Sequence, residues 1–434
     1  MSVRAGILIT GTEVLTGRVA DRNGPWLAEQ LRVAGVDVGR VVVVGDRPAD
    51  LATALRHLAE DHDLVITSGG LGPTADDLTA RVVGDVQGRP PVLDEALERR
   101  IGAVVDDLLR RRRRPADPEA VAAGTRKQAT VPEGADVLEP AGTAPGLVVP
   151  PTPGRPGPPV VVLPGPPGEL RAMWPAALAS PPVRAVLARA TALREDTVRL
   201  WGTLEADLAA SLRRIESRIA DLEVSTCLRD GELEVVTRYA PAAAGQLDLL
   251  RSTLLADFGR TVFTTDGSRV DDVVADGLTR QGWTVATGES CTGGLLAARL
   301  TARPGSSGYV QGGVTAYANA AKTALLAVPA QLIEVHGAVS EQVAVALADG
   351  ARAALGADVG VGVTGVAGPG GGTPAKPVGT VHLAVVSPDG RRARGLRLPG
   401  DRDEVRRRTV VAALHELRLL LTAPRPADAS GRDR

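Results

Sequence analysis

Lysine is nearly missing from this chain. Of 50 basic residues only Lys127, Lys322 and Lys376 are lysines, and arginine supplies the rest. Asparagine is reduced to Asn23 and Asn319, and tyrosine to Tyr239, Tyr309 and Tyr317. A composition this biased replaces a residue wherever a substitute works, so the survivors are candidates for tasks the substitute cannot perform. The segment AYANAAK (316–322) holds one of each rare type. Cysteine is scarce as well: Cys227 and Cys291 make neither a disulfide framework nor a CxxC metal site, and a thiol-reducing, cytoplasmic compartment is expected. No apolar run approaches the roughly 18–20 residues of a membrane span. The first 25 residues lack a basic start followed by a continuous apolar stretch, so no signal peptide is expected. A net charge of −1 removes any global electrostatic case for nucleic acid or an anionic membrane.

What is present suits a multidomain globular protein. A length of 434 residues exceeds one ordinary core, and an apolar fraction of 44% supplies enough to bury. From the start to about residue 168, apolar runs (3–10, 36–44, 63–67, 159–165) alternate with amphipathic stretches (25–33, 49–59). This pattern predicts a parallel sheet with helices on both faces. A helix should open near Asp76, and a long polar one should cover 94–113. The latter carries five arginines (110–114), read as a solvated face because no aromatics interleave with it. The Pro- and Gly-rich stretch 150–159 reads as a surface loop. Between 169 and 265 the pattern becomes β-α-β-β-α, with a hairpin turn at Asp230-Gly231. From 266 to 422 it returns to α/β, with helices at 270–281, 293–300, 341–355 and 401–421 and strands at 283–287, 358–363 and 379–386. The tail, 423–434, is expected to be disordered. No repeat of solenoid length occurs, and the five histidines have no ligand spacing.

Several motifs carry chemistry. TGESCTGG (287–294) passes from a strand into a helix, where unpaired backbone amides can stabilise an oxyanion or bind a phosphate. The alternative is an ordinary capped helix start with Ser290 or Thr292 as cap. Cys291 is a second candidate nucleophile beside Ser290. Lys322, in AYANAAK, can act as a neutral base when desolvated, which arginine cannot; Tyr317 could orient the amine or relay a proton. The alternative is a helix capped by Asn319 with Lys322 exposed. The loop 368–372, inside VTGVAGPGGGTPAKPVGTV (363–381), suggests close backbone approach to a ligand. SGGLGPTADDLT (68–79) offers amides to an anion through Gly69, Gly70, Gly72 and Thr74. Its Asp76 and Asp77 would either hold a divalent cation or favour a helix dipole.

Taken together these motifs resemble the competence/damage-inducible CinA family over nearly the whole chain. The amino-terminal matches are GTEVLTGRVADRN (11–23), SGGLGPTADDLT, GTRKQATVPEGA (124–135), GTAPG (142–146) and LPGPPGEL (163–170). They are similar to a MogA/MoaB-like molybdopterin-binding fold, although Ala75 stands where many relatives carry a basic or polar side chain. The carboxy-terminal matches are GESCTGG, PGSSGYVQGGVTAYANAAK (304–322), HGAVSE (336–341), the glycine-rich loop and GDRDEVR (400–406). They resemble a nicotinamide mononucleotide deamidase domain. The resemblance implies three parts: a MogA/MoaB-like α/β domain (1–168), a small α+β KH-like module (169–265) and an α/β deamidase domain (266–422).

The activity it implies is hydrolysis of nicotinamide mononucleotide to nicotinic acid mononucleotide and ammonia, in pyridine nucleotide salvage. Ser290, Lys322 and Tyr317 would be the catalytic set, with amides of Gly293 and Gly294 at the oxyanion. Ser307, Asn319, Gly365 and Arg402 would contact the substrate. No cofactor is expected for this step; a divalent metal at Asp76 and Asp77 is the cofactor expected if the first domain hydrolyses ADP-ribose. The expected partners are the small nucleotide and a second copy of the chain as a homodimer, with no nucleic acid and no membrane. The module lacks the GXXG loop with which KH units clamp RNA. Two other readings stay open. In one, metal-dependent ADP-ribose hydrolysis in the first domain is the main activity. In the other, the chain is a non-enzymatic molybdopterin- or nucleotide-binding scaffold linked to competence or DNA damage.

Overall fold

The apolar run at the start of the chain becomes the strand Arg4–Thr10, with every residue after Arg4 buried. In the computed structural model, which describes residues 3–112, 117–154, 156–191 and 193–423, it lies within a six-stranded sheet. The order is Asp37–Val44, Arg4–Thr10, Leu64–Ser68, Val160–Leu163, Gly146–Val149, Asp136–Leu138. The first four strands are parallel, and Gly146–Val149 is antiparallel to both neighbours. Helices Asn23–Val33 and Pro167–Ala179 cover one face; Pro48–Asp61, Thr79–Gln87 and Glu95–Arg112 cover the other. A helix at Pro118–Gln128 was not expected. Arg110 and Arg111 lie exposed beside Asp107, as read from sequence, while Arg113 and Arg114 fall outside the described residues.

The expected boundary at 168/169 moves. The chain divides into two compact units, Met1–Leu193 and Arg194–Arg434. Leu170, Met173, Trp174, Ala177, Val183 and Val186 are buried in the same cluster as Ile7 and Leu27. Helices Pro167–Ala179 and Pro181–Leu187 therefore close the first core and do not begin the module. The expected tail, 423–434, lies outside the described residues except for Ala423. Among the described residues no helix is long and apolar enough to cross a membrane.

The second unit opens with a four-stranded antiparallel sheet, in order Leu222–Arg229, Glu232–Tyr239, Arg194–Trp201, Val262–Thr264. Helices Glu205–Ile215 and Ala244–Phe258 pack on one face. Trp201 and Phe263 join the core of the following domain, so module and domain share packing. Their junction is His415, fully buried on the helix Arg402–Thr422. Trp201 stacks on its imidazole with ring centres 4.3 Å apart, and Phe263 meets its edge at 4.8 Å. Arg418 Nε donates to His415 Nδ1 at 3.2 Å. Because guanidinium can only donate, Nδ1 carries no proton, and Nε2–H donates to Glu232 at 2.6 Å.

The catalytic candidates sit in a five-stranded sheet, in order Val310–Thr315, Val285–Glu289, Val359–Gly365, Thr380–Ser387, Gly390–Arg397. The first three strands are parallel, and Thr380–Ser387 is antiparallel to both its neighbours. Alternation along Val359–Gly365 sorts the two faces. Val359, Val361 and Val363 meet helices Val270–Gln281 and Arg402–Thr422. Gly360 and Gly362 face the helix Glu341–Leu355, which lies directly on the sheet: a Cβ at either would stand 2.0 Å from a carbonyl oxygen of Ala348 or Ala344.

Two stability predictions follow from this packing. Gly362→Ala should destabilise the second unit by about 1–3 kcal/mol or more through overpacking. Gly308→Ala, which meets nothing within 4 Å, should change little; equal denaturant midpoints for the two variants would refute the close-packing argument. Burial holds the His415 pKa below its ordinary 6.5, outweighing the raising effect of Glu232, while Arg418 and Arg299 act in the same direction as burial. The unfolded chain thus takes up a proton near pH 6.5 that the folded chain refuses. The contribution of neutral His415 is complete above that pH and is lost as pH falls below it. Denaturant titrations at pH 7.5 and 5.5 should show a larger acid loss for the native chain than for His415→Gln; equal losses would assign the acid sensitivity to other groups.

Candidate functional site

Three parallel strands end on one side of the second unit's larger sheet. The chain leaves Glu289 toward the helix Leu295–Thr301 on one face, and leaves Thr315 toward Asn319–Leu326 on the other. Neighbouring parallel strands whose connections diverge leave a crevice at their carboxyl ends. Ser290 enters it from one strand and the segment carrying Tyr317 and Lys322 from the other. The Ser290 amide donates to Val363 O at 3.0 Å and the Ala316 amide to Glu289 O at 2.8 Å, fixing both exits to the sheet.

Lys322 is 2% exposed and has no ion-pair partner among the described residues. Its Nζ donates to the Tyr317 carbonyl at 2.8 Å. Burial pushes its pKa below the ordinary 10.5, the direction a base needs. The expected alternative of an exposed Lys322 is therefore set aside. Nor does Asn319 cap the helix: the cap position is Ala318, without a side-chain bond. Tyr317 contributes to the lysine through its carbonyl. Its phenol oxygen accepts from Arg402 Nη2 at 3.1 Å, and Arg402 Nη1 donates to Gly368 O at 2.7 Å, joining the exposed tyrosine, the glycine-rich loop and the helix Arg402–Thr422 into one rim.

Ser290 is 8% exposed. Burial pushes the neighbouring Cys291 thiol up to about 12, which removes it as a nucleophile near neutral pH. The expected oxyanion donors are engaged elsewhere: the Gly293 amide donates to Ser290 O at 3.1 Å and the Gly294 amide to the Glu289 carboxylate at 3.0 Å. Among the described residues the Cys291 amide has no partner in another residue. Gly365 is a packing position, since a Cβ there would stand 2.8 Å from Val381 and 3.1 Å from Cys291 Sγ. Ser307 is exposed ahead of the strand Val310–Thr315, at the end opposite the crevice; six residues of strand, roughly 20 Å, separate the two ends. Within one chain it is not part of the site. Sequence reasoning missed Arg406, inside GDRDEVR, whose Nη2 donates to Thr292 O at 3.0 Å.

In the first unit, a cavity of about 330 Å³ opens where the parallel strands end, lined by Gly69, Gly70, Gly72, Asp76, Asp77 and Glu169 among others. Asn23 ties two strand exits together beside it, donating to Ser68 Oγ at 2.9 Å and to Gly165 O at 2.7 Å, Gly165 itself lining the cavity. Gly69 and Gly70 have φ of 109° and 66°, and a Cβ at Gly69 would stand 2.5 Å from Thr10 O. Asp76 and Asp77 precede the helix Thr79–Gln87 and do not serve its dipole. Both turn onto Thr74, whose hydroxyl lies 2.5 Å from a carboxylate oxygen of each; the Thr74 hydroxyl also holds the Asp76 carboxyl below its usual range. Among the described residues no group of three His, Cys, Asp or Glu side chains is placed to share a metal ion. Both acids line the cavity, with carboxylates turned onto Thr74 within their own turn.

Comparisons with known proteins bear on both units. The family model "CinA C-terminal domain" matches residues 268–421, and "Probable molybdopterin binding domain" matches 6–185, reaching the helices that close the first core. A CinA-like protein of Mycolicibacterium gilvum (strain PYR-GCK) is 55% identical over 427 residues, covering 97% of this chain and 99% of its own. A CinA-like protein of Mycobacterium tuberculosis (strain ATCC 25177 / H37Ra) is 51% identical over 429 residues, covering 97% and 98%. Among solved structures, the competence/damage inducible protein CihA from Agrobacterium tumefaciens is 38% identical, covering 37% of this chain and all of its own, with a TM-score of 0.34. On the identity and coverage of these relatives, the chain belongs to the CinA family.

Proposed function

We propose that the second unit is an amidohydrolase that converts nicotinamide mononucleotide to nicotinic acid mononucleotide and ammonia. The observation that carries this reading is Lys322: a buried amine with no acidic partner among the described residues, one carbonyl as its fixed contact and a lowered pKa, near enough to Cys291, the neighbour of Ser290, for the two to act on each other's charge. The substrate class comes from the motifs that resemble the deamidase domain.

Neutral Lys322 takes the Ser290 hydroxyl proton as Oγ attacks the carboxamide carbon. The carbonyl oxygen gathers negative charge, and the Cys291 amide, on the residue after the nucleophile, is the donor placed to meet it. Collapse of this intermediate breaks the C–N bond; the proton held by Lys322 goes to the leaving nitrogen, and ammonia departs. Water then attacks the ester, Lys322 accepts its proton and passes it to Ser290 Oγ as that oxygen leaves, so the acid forms and the neutral amine is regained. Arg402 and Arg406 provide positive charge at the rim for the phosphate of a mononucleotide.

Incubating the pure protein with nicotinamide mononucleotide should release ammonia and nicotinic acid mononucleotide in equal amounts; parallel incubation with ADP-ribose, with and without divalent metal, tests the competing activity. Lys322→Arg keeps the charge and loses the base, so deamidation should fall by roughly 10²–10⁴-fold. Ser290→Ala should cost at least as much, and the double variant little more, because the pair acts as a unit. Near-native turnover by Lys322→Arg would reduce Lys322 to a charge. Because only the neutral amine serves as base, kcat/KM should rise with pH toward a plateau reached below pH 10.5, the ordinary lysine value. A rate flat across the accessible alkaline range would remove this assignment.

A further inference from the structure

Glycine-rich turns that run from a strand into a helix commonly present free amides to an anionic ligand. Here that place is already filled from within. Glu289, the last residue of its strand, is 1% exposed and has no ion-pair partner among the described residues. One carboxylate oxygen accepts from the Gly294 amide at 3.0 Å and the Leu296 amide at 3.1 Å. The other accepts from the Ala297 amide at 2.8 Å and the Thr287 hydroxyl at 3.1 Å. A buried carboxylate with four donors and no cation is held by backbone dipoles, as a bound anion would be. The turn it holds begins at Ser290 and passes through Gly293 and Gly294, with φ of 61° and 94°. From the opposite side Arg406 Nη2 grips the Thr292 carbonyl.

We propose that Glu289 is a positioning residue for Ser290: its carboxylate occupies the anion place at the head of the helix Leu295–Thr301, fixes the turn 290–294 and closes that helix end to the phosphate of the substrate. The phosphate is then held from the other rim, where Arg402 and Arg406 stand. The kinetic part of this inference rests on the amidohydrolase reading; the structural part does not. Glutamine at this position has the right size and the wrong chemistry. Whichever way its amide turns, one pair of donors faces an NH2 group that cannot accept.

The test uses the full chain. In Glu289→Gln, hydrogen exchange at the amides of Gly294, Leu296 and Ala297 should accelerate by about tenfold or more through local opening. Turnover of nicotinamide mononucleotide should fall by about 10²-fold, as for a misplaced reacting group, with KM within about threefold. Glu289→Ala leaves a carboxylate-sized space beside the same donors, so added formate should restore both amide protection and kcat there. It also serves if Glu289→Gln does not fold. Unchanged exchange in Glu289→Gln would overturn the inference whatever the activity. So would a rise in KM with kcat intact, or failure of formate to restore protection in folded Glu289→Ala. A native chain without deamidase activity would instead overturn the amidohydrolase reading, and the exchange and formate arms would still decide the role of Glu289.

Discussion

Removing the Lys322 amine from water is the constraint around which the second unit's site is arranged. A buried ammonium without a carboxylate is costly, and the cost falls when the proton leaves. The fold meets this condition with a crevice between two diverging connections and one fixed acceptor, the carbonyl of Tyr317. An arginine in that place would carry a permanent charge and five donors into the same space. The lysine therefore survives in a chain that elsewhere uses arginine, and its position relative to the sheet depends on the glycine-lined contact that seats the helix Glu341–Leu355.

The helix Arg402–Thr422 joins distant parts of the unit. Arg402 and Arg406 stand at one end of the helix Arg402–Thr422, and its middle is locked to the module by the stacked Trp201–His415 pair and the bond to Glu232. The rim of the site and the packing of the module thus share one rigid element. The KH-like pattern in the sequence contributes here as a packing partner for this helix.

The rare residues were informative, but in more than one way. All three lysines donate through Nζ to a backbone carbonyl: Lys127 to Thr74, Lys322 to Tyr317 and Lys376 to His336. Arginine makes bonds of the same kind here, as Arg402 does to Gly368 O and Arg406 to Thr292 O, so a carbonyl partner alone does not require lysine. Asn23 ties two strand ends together through its amide. Rarity marked residues whose side chains bond the backbone; it did not separate the lysine proposed as a base from the other two. Burial makes that separation, since Lys127 and Lys376 are only half-buried while Lys322 is excluded from water.

Periodicity by itself determined the α/β character of both large parts, the hairpin at Asp230-Gly231 and the placement of GESCTGG where a strand passes into a helix, because these are local properties of the chain. The motifs carried the family resemblance. Where the first domain ends was not local: Pro167–Ala179 has a proline inside it and a weakly amphipathic pattern, and only packing against Ile7 and Leu27 shows that it closes the first core. The partners of the turn amides lie close by in the chain, but periodicity does not reveal them. Glycines at 293 and 294 suggested free donors, and tertiary structure assigned those amides to Ser290 O and the Glu289 carboxylate. Ser307 lies in the same continuous motif as Lys322 yet falls at the opposite end of a strand. Sequence fixes which residues a strand carries; the direction in which that strand crosses the sheet decides which of them meet.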